Sequence, residues 1–266
     1  MTGPVPGLDV LIGAARGPLP SAEQDAVRVL GEHYAYPRSA SEGRPWVRAN
    51  MATSLDGAVS AADGRSASVS GEADKQVFRV LRGLADVVLV GAGTARTEGY
   101  GPARPHPLLA AARREQGRRE AAVVVQVTRS GSVQAGRGMF EAPGAALVAM
   151  PAGDDEAHAR AVAVAGEDAV LLAGHVEGSG TDLADLLDRL ASRGLTRVLC
   201  EGGPTLLGAL TAADLLDELC LTTSPVVVAG DGARAVVADA VAPRGYDLRG
   251  LIRAESTLLA RWVRDR

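Results

Sequence analysis

The run Val87-Val88-Leu89-Val90, followed by Gly91-Ala92-Gly93-Thr94, constrains the fold more than any other stretch of the chain. Four consecutive apolar residues, three of them β-branched, suit a strand buried on both faces, which demands a layer above it and another below. Gly91 and Gly93 then allow backbone N–H groups to come close to a ligand phosphate or ribose. The three-glycine dinucleotide fingerprint is broken, because Arg96 stands where its third glycine belongs. Residues 97–107 carry Gly99, Gly101, Pro102, Pro105 and Pro107, so the glycine turn is expected to lead into a loop and not into a helix. Two readings stay open for the stretch, a nucleotide-contacting turn and a plain strand exit.

Around this strand the pattern is strand, helix, strand, helix. Residues 121–127 (Ala-Ala-Val-Val-Val-Gln-Val) form a second buried strand, which ends in Thr128-Arg129-Ser130-Gly131. Hydroxyls beside a guanidinium at a strand end suit a phosphomonoester. Strands are expected at 145–150 and 169–173 and helices at 154–165 and 181–193, the last with Asp182 early and Arg193-Gly194 at its end. Such alternation calls for parallel strands joined by helical crossovers, an α/β fold. Residues 258–263 read as a closing antiparallel strand at or near a sheet edge.

A second turn resembles the first. Arg197-Val-Leu-Cys runs into Glu201-Gly202-Gly203-Pro204-Thr205-Leu206, with Pro204 placed where a first helical turn begins. Free N–H groups at that helix start would face whatever lies beyond the strand, a seat suited to a pyrophosphate. A carboxylate repels such a group, so Glu201 must either be paired or face a reacting end.

At 266 residues, 47% of them hydrophobic, the chain can fill a substantial core. Its formal net charge of -4 offers no basic field for a nucleic-acid backbone. No apolar run approaches the roughly 20 residues that span a bilayer, and the start of the chain lacks a signal-peptide pattern, so a cytoplasmic protein is expected. Cys200 and Cys220 fall within apolar runs, as buried thiols do. His175-Val-Glu177, between Gly174 and Gly178, has no Pro-Cys-x-x-Cys to complete a zinc site, and no metal is expected.

Residues 1–43 have a composition of their own, with Gly and Pro around one short amphipathic helix over residues 21–33, capped by Ser21. They read as an extension packed on a main domain of residues 44–266. That domain opens with Trp46-Val-Arg-Ala-Asn50-Met-Ala-Thr53-Ser54-Leu-Asp56-Gly57, an alternating strand ending in an Asp-Gly turn. Trp46, Arg48 and Asn50 share one face, where Asn50 needs a backbone or ligand partner. Ser70 can cap the next helix, with Asp74 in its first turn, Val77, Phe78, Leu81 and Leu84 inward, and Lys75, Arg79 and Arg82 outward.

Taken together, Arg44-Pro-Trp-Val47, Asn50-x-Ala-x-Ser-Leu-Asp-Gly57, residues 70–74, Ala85-Asp-Val-Val-Leu-Val-Gly-Ala-Gly-Thr94 and Glu201-Gly-Gly-Pro-Thr-Leu206 resemble the pyrimidine reductase of riboflavin biosynthesis, in its stand-alone form without a deaminase domain. The resemblance implies a dihydrofolate-reductase-like, three-layer α/β/α fold with a mixed, mostly parallel sheet. It also implies NADPH, a homodimer, and reduction of the ribosylamino group of a (di)aminopyrimidine 5′-phosphate to the ribitylamino form. Carried over by motif, the cofactor set is Thr53, Val90, Gly91, Gly93, Thr94, Thr128, Arg129, Ser130, Glu201, Gly202, Gly203, Thr205 and Leu206. The substrate set is Asn50, Ser54, Asp56, Ser70, Asp74 and Arg104, and the candidate acids are Asp56, Asp74, Glu98 and Glu201. Ala58 stands where relatives carry Lys, and Glu98-Gly-Tyr100-Gly-Pro replaces their Asp-x-Pro-x-Leu-Thr-x-Arg. Asp74 also lies where the pterin-anchoring acid of dihydrofolate reductases does. A pterin reductase and a catalytically silent NADPH-binding protein are therefore the alternatives.

Overall fold

The computed structural model describes residues 7–13, 16–133, 136–142, 144–176, 180–239 and 242–265; the Glu177 and Gly178 end of the histidine loop lies outside them. Among the described residues the strands are β1 (Leu8–Ile12), β2 (Gly17–Pro18), β3 (Trp46–Thr53), β4 (Val87–Gly91), β5 (Val123–Val127), β6 (Ala146–Pro151), β7 (Val170–Ala173), β8 (His175–Val176), β9 (Gly180–Thr181), β10 (Arg197–Cys200), β11 (Glu218–Thr223), β12 (Tyr246–Ala254) and β13 (Thr257–Arg264). The helices are α1 (Glu23–His33), α2 (Arg38–Ser41), α3 (Glu72–Leu84), α4 (Ala92–Glu98), α5 (Ala110–Glu115), α6 (Asp155–Ala165), α7 (Leu183–Ala191) and α8 (Pro204–Ala212).

Apart from the β8/β9 pair, the strands join one sheet in the order β2-β1-β12-β13-β11-β3-β10-β4-β5-β6-β7. From β11 to β7 every pairing is parallel, and from β11 outward through β13, β12, β1 and β2 every pairing is antiparallel. Side chains alternate between two apolar layers, as the pleat requires. Val88, Val90 and Val124 pack with Val27 and Leu30 of α1 and Val77, Val80 and Leu81 of α3. Val87, Leu89, Val123 and Val125 pack with the leucines of α7 and α8. Each fully buried leucine of this kind contributes about 1.5–3 kcal/mol. The result is the expected three-layer α/β arrangement.

Local signals explain the helix boundaries. Asp154 and Asp182 accept backbone N–H bonds as N-caps of α6 and α7, and Pro204 occupies the first turn of α8. Four expectations need correction. A helix, α4, follows the first glycine turn; Gly99 ends it in the left-handed region at φ 67°, and the loop begins only there. The cap positions of α1 and α3 are Ala22 and Gly71 in place of Ser21 and Ser70, and neither cap side chain makes the bond. Strand β13 is interior, because β12, β1 and β2 lie outside it. Two of those outer strands come from the first 43 residues, whose helix α1 packs on α3.

A buried ionic knot fastens the antiparallel half to β3. Arg48, fully buried, donates to both Glu218 oxygens at 2.7 and 3.1 Å, and its guanidinium stacks on Tyr36 at 4.1 Å. Arg261 donates to Glu218 at 2.8 Å and to the His33 carbonyl at 2.7 Å. Burial alone would raise the Glu218 carboxyl, but the two guanidiniums hold it down to about 2. Cys200 and Cys220 are buried free thiols, and burial pushes Cys200 up to about 12. Among the described residues no helix is long and apolar enough to cross a membrane.

Candidate functional site

Parallel pairing of β10 with β4, with Leu199 opposite Val88, sets the C-terminal ends of these strands side by side. The two glycine turns are thereby neighbours. The Gly91 N–H donates to the Gly202 carbonyl at 2.8 Å, and a Cβ added to Gly203 would lie 2.4 Å from Thr94 Oγ1. Glycine at 203 is what lets the turns touch.

Two cavities open from this junction and share Gly93, Thr94, Gly203 and Pro204. The larger, about 1170 Å³, lies on the α3 side, and the smaller, about 1040 Å³, lies on the side of β5 and α8.

The larger cavity gathers Asn50, Ser70, Asp74, Glu98, Arg104 and Glu201 from the expected set. Asn50, only 8% exposed, makes no side-chain hydrogen bond among the described residues and lines this cavity. Asp74 accepts bonds from Ser70 Oγ at 2.5 Å and Thr222 Oγ1 at 2.7 Å, which fix the carboxylate and leave each oxygen a further lone pair. Glu201 is paired. Arg82 donates to it through Nε at 2.7 Å and Nη2 at 2.6 Å, and the Tyr100 hydroxyl donates at 2.6 Å. Burial would lower the Arg82 guanidinium, but Glu201 outweighs it and keeps the group charged. Burial, and then the Glu201 charge, raise Tyr100 well above the usual phenol range, so it stays a donor. Glu98 accepts a bond from the Ser66 N–H at 2.9 Å.

The smaller cavity gathers Gly91, Gly93, Thr94, Thr128, Arg129, Ser130, Gly203, Thr205 and Leu206. Three guanidiniums line it. Arg96 donates to the Ser132 carbonyl and Oγ at 3.3 Å, and Arg160 to the Ser130 carbonyl at 3.0 Å. Arg129 makes no ion pair or hydrogen bond among the described residues and rests its stem against Gly180.

Five expected residues line neither cavity. Val90 is fully buried in the core, and Gly202 sits behind the turn as the acceptor for Gly91. Thr53 Oγ1 donates to the Thr222 carbonyl at 3.4 Å, inside the sheet. Ser54 Oγ accepts from Ala58 N–H at 2.9 Å and donates to Asp56 at 2.5 Å. Asp56 also accepts from the amides of Val228 and Ala229 at 3.2 and 2.7 Å, latching two loops together. The Ser54 bond first, then those amides, hold its carboxyl at about 2, which leaves it no proton to give near neutral pH.

Sequence reasoning missed Tyr100, Thr222 and the inward course of Arg82. Thr222 had a signal, a hydroxyl cluster in an otherwise apolar run. Tyr100 had none, since it follows a helix cap in an aperiodic loop. Arg82 sits on the polar stripe of α3, but its stem crosses Phe78, with the guanidinium 4.4 Å from the ring, to reach Glu201.

A mostly parallel sheet whose strand ends carry two touching glycine turns, with two adjacent cavities opening from that junction, defines an α/β protein with its concave sites at the carboxyl ends of the strands. The family model described as the RibD C-terminal domain matches residues 45–249, and the chain belongs to that family. It is 32% identical over 200 residues to the 2,5-diamino-6-ribosylamino-4(3H)-pyrimidinone 5′-phosphate reductase of Methanothermobacter thermautotrophicus, a match that covers 73% of this chain and 84% of that one. It is 29% identical over 187 residues to the Archaeoglobus fulgidus protein of the same name, covering 70% and 83%. A pyrimidine reductase-like protein from Corynebacterium diphtheriae shares the fold at TM-score 0.76 and 23% identity, over 90% of this chain and 98% of that one. The riboflavin biosynthesis reductase Rib7 of Saccharomyces cerevisiae shares it at TM-score 0.58 and 17% identity, over 84% and 91%.

Proposed function

We propose that the protein is an NADPH-dependent reductase that converts the ribosylamino group of a diaminopyrimidinone 5′-phosphate to the ribitylamino form. The observation that carries this reading is the pair of cavities meeting at Gly93, Thr94, Gly203 and Pro204, with Asn50 and Asp74 open toward one and Arg129 unpaired in the other. The substrate named for both archaeal relatives supports the choice of pyrimidine.

The smaller cavity fits a dinucleotide. The start of α8, with Gly203, Thr205 and Leu206, offers free N–H groups to a pyrophosphate. Arg129, with Thr128 and Ser130, supplies a fork and hydroxyls for a phosphomonoester, which favours NADPH over NADH. Bound there, the cofactor would supply a hydride. In the larger cavity Asp74 accepts hydrogen bonds from the exocyclic amines of the pyrimidine, while Asn50 meets a neighbouring edge atom and fixes the ring. Glu201 spends both oxygens on Arg82 and Tyr100, so its role is to hold those groups beside the junction rather than to transfer a proton.

The working unit is a homodimer in the cytoplasm. Register places Leu219 and Leu248 opposite Trp262, and Leu221 opposite Ala260, on one sheet face where all five stay partly exposed. Leu258, 41% exposed, extends this apolar face, which a second copy would cover.

Steady-state assay with the ribosylaminopyrimidinone 5′-phosphate tests the reading. Consumption of NADPH, with a product two hydrogens heavier by mass, is expected. Turnover of dihydrofolate in its place would move the protein to the pterin reductases, and NADPH binding without turnover of either would make it a silent binding protein.

A further inference from the structure

A hydride donor in the smaller cavity and its acceptor in the larger one put the reacting carbon where the cavities meet, at Gly93, Thr94, Gly203 and Pro204. Beside that point the larger cavity holds Glu201, Arg82 and Tyr100. Glu201 directly follows β10, two residues before Gly203, and its side chain is 1% exposed. Arg82 closes on it from α3 with two donors, and the Arg82 guanidinium lies 4.4 Å from the Phe78 ring and 5.3 Å from the Tyr100 ring. Tyr100 arrives from the other side. The left-handed Gly99 turns the chain at the end of α4, and the Tyr100 N–H is pinned to the Ala95 carbonyl at 2.9 Å. Its hydroxyl gives its one proton to Glu201 Oε2 at 2.6 Å, and burial with the Glu201 charge keeps that proton in place. The phenol oxygen, on a side chain only partly buried, retains acceptor capacity, strengthened because its own hydrogen is held by a carboxylate. In the family pattern a proline stands at this position, so the hydroxyl belongs to this chain's departure from it.

We infer that Tyr100 is a catalytic residue whose oxygen accepts the N–H of the ribosylamino nitrogen as that nitrogen becomes cationic, with Glu201 and Arg82 as the positioning residues that fix the phenol, an assignment that rests on the reductase reading above. In the reduction the C1′–O4′ bond of the ribose breaks and its electron pair leaves on O4′, which takes a proton from water, while the nitrogen lone pair forms a C1′=N double bond. The nitrogen keeps its hydrogen and carries the positive charge. C1′ then accepts a hydride, with its electron pair, from the nicotinamide, and the π pair returns to nitrogen. The ribitylamino product forms with no proton delivered to nitrogen. What the site must supply is an acceptor for a cationic N–H, and a phenol oxygen polarised by a carboxylate is one. The Arg82 charge is offset by Glu201, so the phenol is held without a net cation beside the developing one.

The test compares Tyr100→Phe, Glu201→Gln and the double variant with wild type, following NADPH oxidation with the ribosylaminopyrimidinone 5′-phosphate. Tyr100→Phe keeps the ring against Arg82 and removes only the oxygen. It is expected to lower kcat roughly 10- to 100-fold, the scale of a lost hydrogen bond to a charged group, while KM and the Kd for NADPH stay within about twofold of wild type. Glu201→Gln keeps the phenol but loses the anion that polarises it, so kcat should fall by less. In the Tyr100→Phe background the same change should lower kcat no further, because both substitutions act through one oxygen. A Tyr100→Phe variant with kcat within about twofold of wild type overturns the inference, as does a loss confined to KM or a double variant whose losses in kcat multiply. Circular dichroism and thermal melting check the fold, and if Glu201→Gln does not fold, kcat and KM of Tyr100→Phe decide alone. Absence of turnover by the wild-type enzyme would instead overturn the reductase reading itself.

Discussion

Replacing Asp74 with Asn changes one oxygen for an amide at a site where the geometry is closed on one side and open on the other. Ser70 and Thr222 hold the carboxylate from behind at 2.5 and 2.7 Å, and the residue is 5% exposed. Hydroxyls rotate to accept as well as donate, so the protein loses about one hydrogen bond, roughly 1 kcal/mol. Toward the cavity the loss is larger. An amine that donated to a carboxylate now meets either a neutral oxygen or a second donor, and hydrogen bonds to charged groups contribute about 1.5–3 kcal/mol. At about 1.4 kcal/mol per decade, kcat/KM for the pyrimidine substrate should fall roughly 10- to 150-fold. Initial rates of NADPH oxidation across substrate concentrations measure the loss, and calorimetric titration with NADPH should give an unchanged Kd, since Asp74 does not line the smaller cavity. A variant whose kcat/KM stays within about twofold of wild type would refute the placement of Asp74 against the substrate.

Arg129→Gln should erode the preference for NADPH over NADH by roughly tenfold or more, measured as the ratio of their Kd values, while NADH binding itself stays constant. Glu201→Gln should destabilise the fold by about 2–3 kcal/mol in urea melts, slightly less than a fully buried pair because Arg82 keeps 29% exposure. Burial, then the Arg261 charge, lower His33 from 6.5 to about 4, so the folded state favours its neutral ring. Its stabilisation is complete above pH 6.5 and lost as pH falls toward about 4, close to 3 kcal/mol by about 1.4 per unit. Glu218, held down to about 2 from 4.5, extends the loss to lower pH. Urea midpoints from neutral pH to about pH 4 should show the first limb, and His33→Asn should abolish it.

Much of the fold was legible because it rests on continuous apolar runs. Strands β4 and β5 read directly as buried, β6 as a strand of the parallel alternation, and Asp154, Asp182 and Pro204 marked helix starts. The outer strands were not. In β12 the exposed Asp247, Arg249 and Arg253, with Gly250 among them, dilute any strand signal, because only one face is buried. Helix α4 was hidden by Gly93 and Thr94, weak helix formers that tertiary packing overrides. In the site, Asn50 stood out as a polar residue in a core strand and Asp74 entered through the family resemblance, and both line the larger cavity. Asp56 stood out equally and turned out to be a loop latch, since a local pattern of Ser-x-Asp does not say which way its oxygens point. Arg82 was hidden for a different reason, that helical periodicity describes where a Cβ points and not where a long side chain ends.

The most direct test is a titration of isotope-labelled protein with NADPH, following the backbone amides of Gly91, Gly93, Thr94, Gly203 and Thr205. All five residues line the smaller cavity, so their amides should shift along a single saturation curve. Response confined to one turn, or NADPH that fails to perturb either, would contradict a shared dinucleotide site.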